Sequence, residues 1–329
     1  MAGSSWQFFA NAAGDALKAA AGRLVSGPKL PNWSFSFEVL SAVMRGHLTR
    51  AAGYDDPPEQ RVFIDAANPP SPSLRRVVIE ETRVGSIPAK WFKPKGETKD
   101  RTLLFLHGGG YVIYAKSHAG FIASLATILK AKTLVPDYRL APEHPFPAAI
   151  EDAVAAYEFL LEQGTDPRRI VIAGDSAGGG LTLATLLALR DKKRPLPALA
   201  CPLSPFVDTG CSGKSFETNA PYDWLVPALG RQWGKWYLSG QDSKNPLASP
   251  LFADLSGLPP IYIQAGKAEI LIDQIKDFAR RAQEQKADCT LEAWTGMTHD
   301  FQMFADVGLS EAKEALRKLA ERVDLVLGQ

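Results

Sequence analysis

Ile170-Val-Ile-Ala-Gly-Asp-Ser-Ala-Gly-Gly-Gly-Leu181 runs four apolar residues straight into a Gly-x-Ser-x-Gly pentapeptide, Gly174 to Gly178. Ile170 to Ala173 reads as a short buried strand, and Leu181 to Leu189 reads as a helix. The pentapeptide therefore lies on a strand–turn–helix junction. A turn this sharp strains the serine backbone and lifts its hydroxyl clear of the sheet. Glycines two before and two after let neighbouring segments pass close to it. The following helix N-terminus adds positive potential where an oxyanion would form. A phosphate-binding loop is a poor rival, because no Lys-Ser or Lys-Thr pair follows the glycines. Ser176 is the candidate nucleophile.

The pattern around the junction alternates. Val77 to Val84 and Ile87 to Phe92 read as a β-hairpin, and Thr102 to Leu106 and Lys132 to Pro136 as strands. Pro197 to Pro205, Pro259 to Ala265 and Cys289 to Trp294 supply three more. Helical stretches at Phe121 to Leu129 and Ala148 to Leu161 separate the strands. This order predicts a mostly parallel sheet of about eight strands flanked by helices. Between Phe206 and Gly240 the alternation lapses and Trp224, Leu225, Trp233, Trp236 and Tyr237 cluster, which predicts a cap insertion around 206–240. Residues 1–54 read as a helical arm that contributes to the cap, and 55–329 as the catalytic domain. Asp55 to Pro72, rich in Pro and Asp, reads as a loop.

Composition narrows the chemistry. A formal net charge of +1 over 329 residues gives no field for DNA, RNA or an anionic membrane. The three cysteines, Cys201, Cys211 and Cys289, suit free thiols better than a disulfide framework or a zinc cluster. No apolar run approaches the ~18 residues of a membrane span. The first 24 residues lack the plan of a signal peptide, so a cytoplasmic location is expected. No metal-ligand cluster is visible, and the chemistry of a nucleophilic serine needs no cofactor.

His107-Gly108-Gly109-Gly110-Tyr111 follows a strand well upstream of Ser176. Acyl transfer builds charge on the former carbonyl oxygen, and backbone N–H groups can hold it. Three glycines exceed what a simple turn requires. Gly108, Gly109 and Ala177 are assigned as donors, with Gly110 shaping the loop and His107 orienting it. Of five histidines, only His299 follows both the serine and the last strand, in the order Ser, acid, His. The acid should stand just past the strand that ends at Ala265. Glu269 is nearer the strand end. Asp273 is the alternative, at a helix start where a carboxylate often only caps. Trp33, Phe35, Phe37, Tyr111, Trp224 and Leu225 are candidate pocket residues.

Three motifs carry a resemblance: His107-Gly-Gly-Gly-Tyr111, Asp137-Tyr-Arg-Leu-Ala-Pro-Glu143 and Gly174-Asp-Ser-Ala-Gly178. Together, over roughly Ser73 to the C-terminus, they resemble the hormone-sensitive-lipase branch of bacterial α/β-hydrolase esterases. The resemblance implies the α/β-hydrolase fold with a helical cap. It also implies a serine carboxylesterase for short- to medium-chain esters, acting on a small apolar ester or lactone, and a possible homodimer. In the family the acid is commonly an Asp opening an Asp-Pro-Leu-x-Asp pattern. Here the matching stretch is Glu269-Ile-Leu-Ile-Asp273, which supports Glu269. A lactonase or amidase could use the same three residues. A ligand receptor of the kind that has lost its catalytic histidine is disfavoured by His299.

Overall fold

The computed structural model describes residues 5–68 and 71–328. The chain opens with three helices, α1 (Ser5–Ser26), α2 (Phe35–Ala51) and α3 (Pro57–Asp65). Helix α3 corrects the loop expected over Asp55 to Pro72. Asp56 caps it by accepting from Glu59 N at 3.1 Å, and proline opens its first turn. Proline at that position costs no hydrogen bond, because its missing N–H would be unpaired anyway.

Then comes the alternating region. It runs β1 (Val77–Val84), β2 (Ile87–Pro94), β3 (Thr102–Leu106), α4 (His118–Ile128), β4 (Lys132–Pro136) and α5 (Ala148–Glu162). It continues with β5 (Ile170–Asp175), α6 (Ala177–Asp191), β6 (Leu199–Leu203), α7 (Ser215–Thr218) and α8 (Pro227–Leu238). It closes with β7 (Ile261–Gly266), α9 (Ile272–Glu284), β8 (Cys289–Trp294) and α10 (Ser310–Leu327). Among the described residues the strands form one eight-stranded sheet in the order β1-β2-β4-β3-β5-β6-β7-β8. The β1–β2 and β2–β4 pairs are antiparallel and the remaining pairs parallel.

The core strands β3, β5, β6 and β7 are buried along their whole length, as expected for a sheet covered on both faces. From β3 the chain steps outward to β4, then returns past β3 to β5. Right-handed crossovers in opposite directions put α4 on one face and α5 on the other. The reversal leaves a crevice beyond the carboxyl ends of β3 and β5, where doubly wound sheets bind ligands. Both glycine motifs end there. The expected insertion holds α7 and α8, and α8 packs on α2. Helix α3 joins α8 through polar groups. Gln60 donates to Gln232 at 2.8 Å and accepts from Trp233 Nε1 at 2.7 Å. Cys201, Cys211 and Cys289 are free thiols.

Candidate active site

Ser176 sits between β5 and α6 with φ 53° and ψ −119°. A non-glycine residue there is strained by ~1–3 kcal/mol, a cost the surroundings must hold in place. Its own backbone does part of this: Ser176 N donates to Leu203 O at 2.9 Å, and Phe206 N donates to Ser176 O at 2.9 Å. Gly178 makes the turn feasible, since a side chain there would strike the carbonyl oxygens of Leu106 and His107. The serine is thus pinned between β3, β6 and the first turn of α6.

The His107–Tyr111 loop crosses in front of Ser176. Gly109 and Gly110 have φ of +107° and +62°, values that an L side chain tolerates poorly. The His107 ring is stacked between Tyr114 at 3.9 Å and Tyr138 at 4.1 Å. Burial pushes its pKa down to about 3, so it is neutral and serves as a spacer within the loop. The tyrosine of the Asp137–Glu143 motif braces the same loop, Tyr138 donating to His107 O at 2.7 Å. From the other side, Arg61 of α3 donates to Val112 O at 2.7 Å and Ala141 O at 2.8 Å.

The structure corrects one donor. Gly108 N–H is already committed, donating to Asp175 Oδ1 at 2.9 Å. Asp175 in turn meets His118 Nε2 at 3.0 Å. Burial would raise the Asp175 pKa, but His118 and the Gly108 amide hold it below the usual range. Burial would lower His118, yet Asp175 raises it. The hydrogen-bonded pair anchors the loop. Among the described residues, the N–H groups of Gly109 and Gly110 in this loop donate to no backbone oxygen.

His299 lies on the turn after β8, and its backbone is held from the cap insertion. Asp223 accepts from His299 N at 3.0 Å and from Ile270 N at 2.8 Å. Trp224 Nε1 donates to His299 O at 2.5 Å. One short stretch of the insertion thus fixes the histidine loop and the loop carrying Glu269. Glu269 is fully buried, and its Oε2 accepts from Ser204 Oγ at 2.7 Å and Gly266 N at 2.8 Å. Glu269 Oε1 and His299 Nδ1 are buried and have no hydrogen-bond partner among the described residues. Burial pushes Glu269 up to about 8, against the pull of His299. Asp273 is elsewhere, paired with Ser215 N at 2.8 Å where α7 meets α9.

On its far side, His299 Nε2 lies 3.1 Å from Asp300 Oδ2. Burial would lower the histidine, but Asp300, Glu269 and Asp223 together hold it up to about 9. Asp300 itself is pushed by burial up to about 6, against the pull of His299.

Ser176, His299 and Asp300 open onto one cavity of about 90 Å³. That is small beside the ~300–1,000 Å³ of a drug-sized ligand site. Trp224 and Leu225 line it. Met44 and Leu48 of α2, Ile64 of α3, Trp233 of α8, Ile113 and Met303 add to its apolar wall. Other expected pocket residues are not there. Trp33 is buried against Phe37 at 5.1 Å and donates to Gly296 O at 2.5 Å, bracing the histidine loop from outside. Phe37 packs on Phe304 at 6.0 Å, and Phe35 is 52% exposed. Tyr111 is stacked on Tyr237 at 3.8 Å and joins the loop to α8. Asp223, Asp300 and His118 carried no motif. Asp175 was visible only as the second residue of Gly-x-Ser-x-Gly.

A family model described as alpha/beta hydrolase fold matches residues 103–303. An acetyl-hydrolase of Streptomyces hygroscopicus is 43% identical over 235 residues, covering 71% of this chain and 78% of the relative. An esterase of Acinetobacter venetianus is 36% identical over 231 residues, covering 69% and 76%. Among solved structures, an esterase from the bacterial hormone-sensitive lipase family superposes with a TM-score of 0.80 at 38% identity, covering 87% of this chain and 98% of that one. EstE5, soaked with p-nitrophenyl butyrate, gives a TM-score of 0.82 at 36% identity, covering 88% and 98%. With its elbow serine, glycine loop and C-terminal histidine, the chain belongs to the hormone-sensitive-lipase branch of the α/β-hydrolase family.

Proposed function

We propose that Ser176, His299 and Glu269 carry the reaction of this carboxylesterase, on esters with short acyl chains. The observation that carries the reading is the strained Ser176, opening onto the same cavity as His299. For reaction, His299 Nε2 turns from Asp300 to the serine and takes the Oγ proton while Oγ attacks the ester carbonyl. The amides of Gly109, Gly110 and Ala177 hold the oxyanion, each donor worth roughly 10²–10³ in rate. His299 then hands its proton to the leaving alkoxide, giving the alcohol and an acyl-serine. Water repeats the sequence, losing a proton to His299 and releasing the acid. Glu269 Oε1 accepts a hydrogen bond from His299 Nδ1–H, fixing the tautomer and stabilising the charged ring. The small apolar cavity favours acetyl and butyryl groups over long chains. The free cysteines suit a reducing compartment such as the cytoplasm.

The test is hydrolysis of p-nitrophenyl acetate, butyrate, octanoate and palmitate by wild type and Ser176→Ala. Activity should peak at the two short chains and drop by about 10⁴-fold or more in the variant. Folded wild type that cleaves none of the four, or a variant that keeps its rate, would sink the assignment.

A further inference from the structure

The polar side of the cavity is formed by Ser117, His118, Asp175 and Asp300, opposite the apolar wall. Most of the hydrogen-bonding capacity there is spent. Both His118 nitrogens are engaged, with Ala115 O at 3.2 Å and with Asp175. Both Asp175 oxygens are engaged, with Gly108 N and His118. Asp300 differs. It is 2% exposed, its Oδ2 meets His299, and its Oδ1 has no partner among the described residues. A buried carboxylate oxygen left without a donor is costly, so it marks a place where a ligand can donate.

Its position says which part of the ligand. In the esterase reading, on which this inference rests, His299 Nε2 delivers the proton to the leaving alcohol. The leaving oxygen must therefore stand within a hydrogen bond of Nε2. Asp300 Oδ2 is itself 3.1 Å from Nε2. A hydroxyl on the carbon next to the ester-bearing carbon lies about one hydrogen-bond length from the leaving oxygen. Asp300 lines the same cavity as Ser176 and His299, which puts its carboxylate within reach of such a hydroxyl. When His299 turns to Ser176, both Asp300 oxygens become available to accept.

We propose that Asp300 is a specificity residue that selects short-chain monoesters of vicinal diols or polyols, accepting a hydrogen bond from the free hydroxyl beside the ester. The backbone at Asp300 has φ 45°, which suits Asp, Asn or Gly and few other residues. Asp300→Gly therefore removes the carboxylate without adding strain.

The experiment compares kcat/KM for three acetates on wild type, Asp300→Gly and Asp300→Asn. In 2-hydroxyethyl acetate the donor is present. Propyl acetate matches its size without the donor, and 2-methoxyethyl acetate matches its inductive pull without the donor. Wild type should favour 2-hydroxyethyl acetate over both controls by about tenfold, the scale of a hydrogen bond to a charged acceptor. In Asp300→Gly the preference should fall to within about twofold of unity. Asp300→Asn, still an acceptor but uncharged, should fall between. Ratios cancel any change in the basicity of His299, because all three esters use the same serine and histidine. Equal use of the hydroxyl and methoxy esters by wild type overturns the inference, whatever the variants do. So does a preference that survives Asp300→Gly. If wild type cleaves none of these acetates nor p-nitrophenyl acetate, the esterase reading itself fails.

Discussion

At the residue scale, His299 is surrounded by three buried carboxylates, Asp300, Glu269 and Asp223, which hold its pKa up to about 9. A protonated histidine cannot accept the serine proton. The sign follows: kcat/KM for p-nitrophenyl acetate should rise with pH through a midpoint well above the ordinary imidazole value of about 6.5. Asp300→Asn removes one negative neighbour and should move that midpoint to lower pH. An unmoved midpoint would show that Asp300 does not set the histidine's basicity. Glu269→Gln should act differently. It replaces the carboxylate with an uncharged amide that neither stabilises the charged ring nor fixes its tautomer, so kcat should fall by about 10³–10⁴-fold with KM little changed. Asp273→Asn, at the α7–α9 junction, should leave kcat near wild type. Rates on one chromogenic ester separate the two carboxylates.

At the element scale, the site depends on a close crossing of α6 over the end of β3. Gly178→Ala would drive a methyl group into the Leu106 and His107 carbonyls, backbone atoms that cannot step aside. The expected cost is about 3 kcal/mol or more, read from chemical denaturation, with loss of activity. This glycine was legible from its place in Gly-x-Ser-x-Gly. Asp223 was not. It stands in the cap insertion, far in sequence from both loops it ties together. Nothing in a local pattern marks a carboxylate that caps two distant N–H groups. Gly108 teaches the same lesson at close range: the motif predicts three amides near the oxyanion, but only the tertiary contact with Asp175 shows which one is already occupied.

At the scale of the whole molecule, α2 and α3 meet α8 of the insertion beside the cavity. Gln60 sits at the joint, donating to Ala51 O at 3.0 Å and to Gln232 while accepting from Trp233. Gln60→Leu would strand these buried partners and should cost about 1–3 kcal/mol. Because Trp233 lines the cavity, KM for p-nitrophenyl butyrate should rise as well. Thermal unfolding together with steady-state kinetics checks both, and unchanged values for each would remove Gln60 from the joint.

The alternation of short apolar runs with helical stretches, and two glycine motifs each following a strand, were enough to read the sheet and the strand–turn–helix elbow. Those features are local: a strand period, a helix period and a turn that needs glycine are all written within about ten residues. The lining of the cavity was not readable in the same way. Trp33, Phe37 and Tyr111 looked like pocket residues because aromatics near a cap often are. The fold uses them as braces behind the histidine loop and the glycine loop. Met44, Leu48 and Ile64 face the serine because α2 and α3 pack across the crevice, and Asp300 faces it because the backbone turns left-handed after His299. Which side of a helix or turn meets the substrate is settled by packing between segments far apart in the chain, and that packing exists only in the folded molecule.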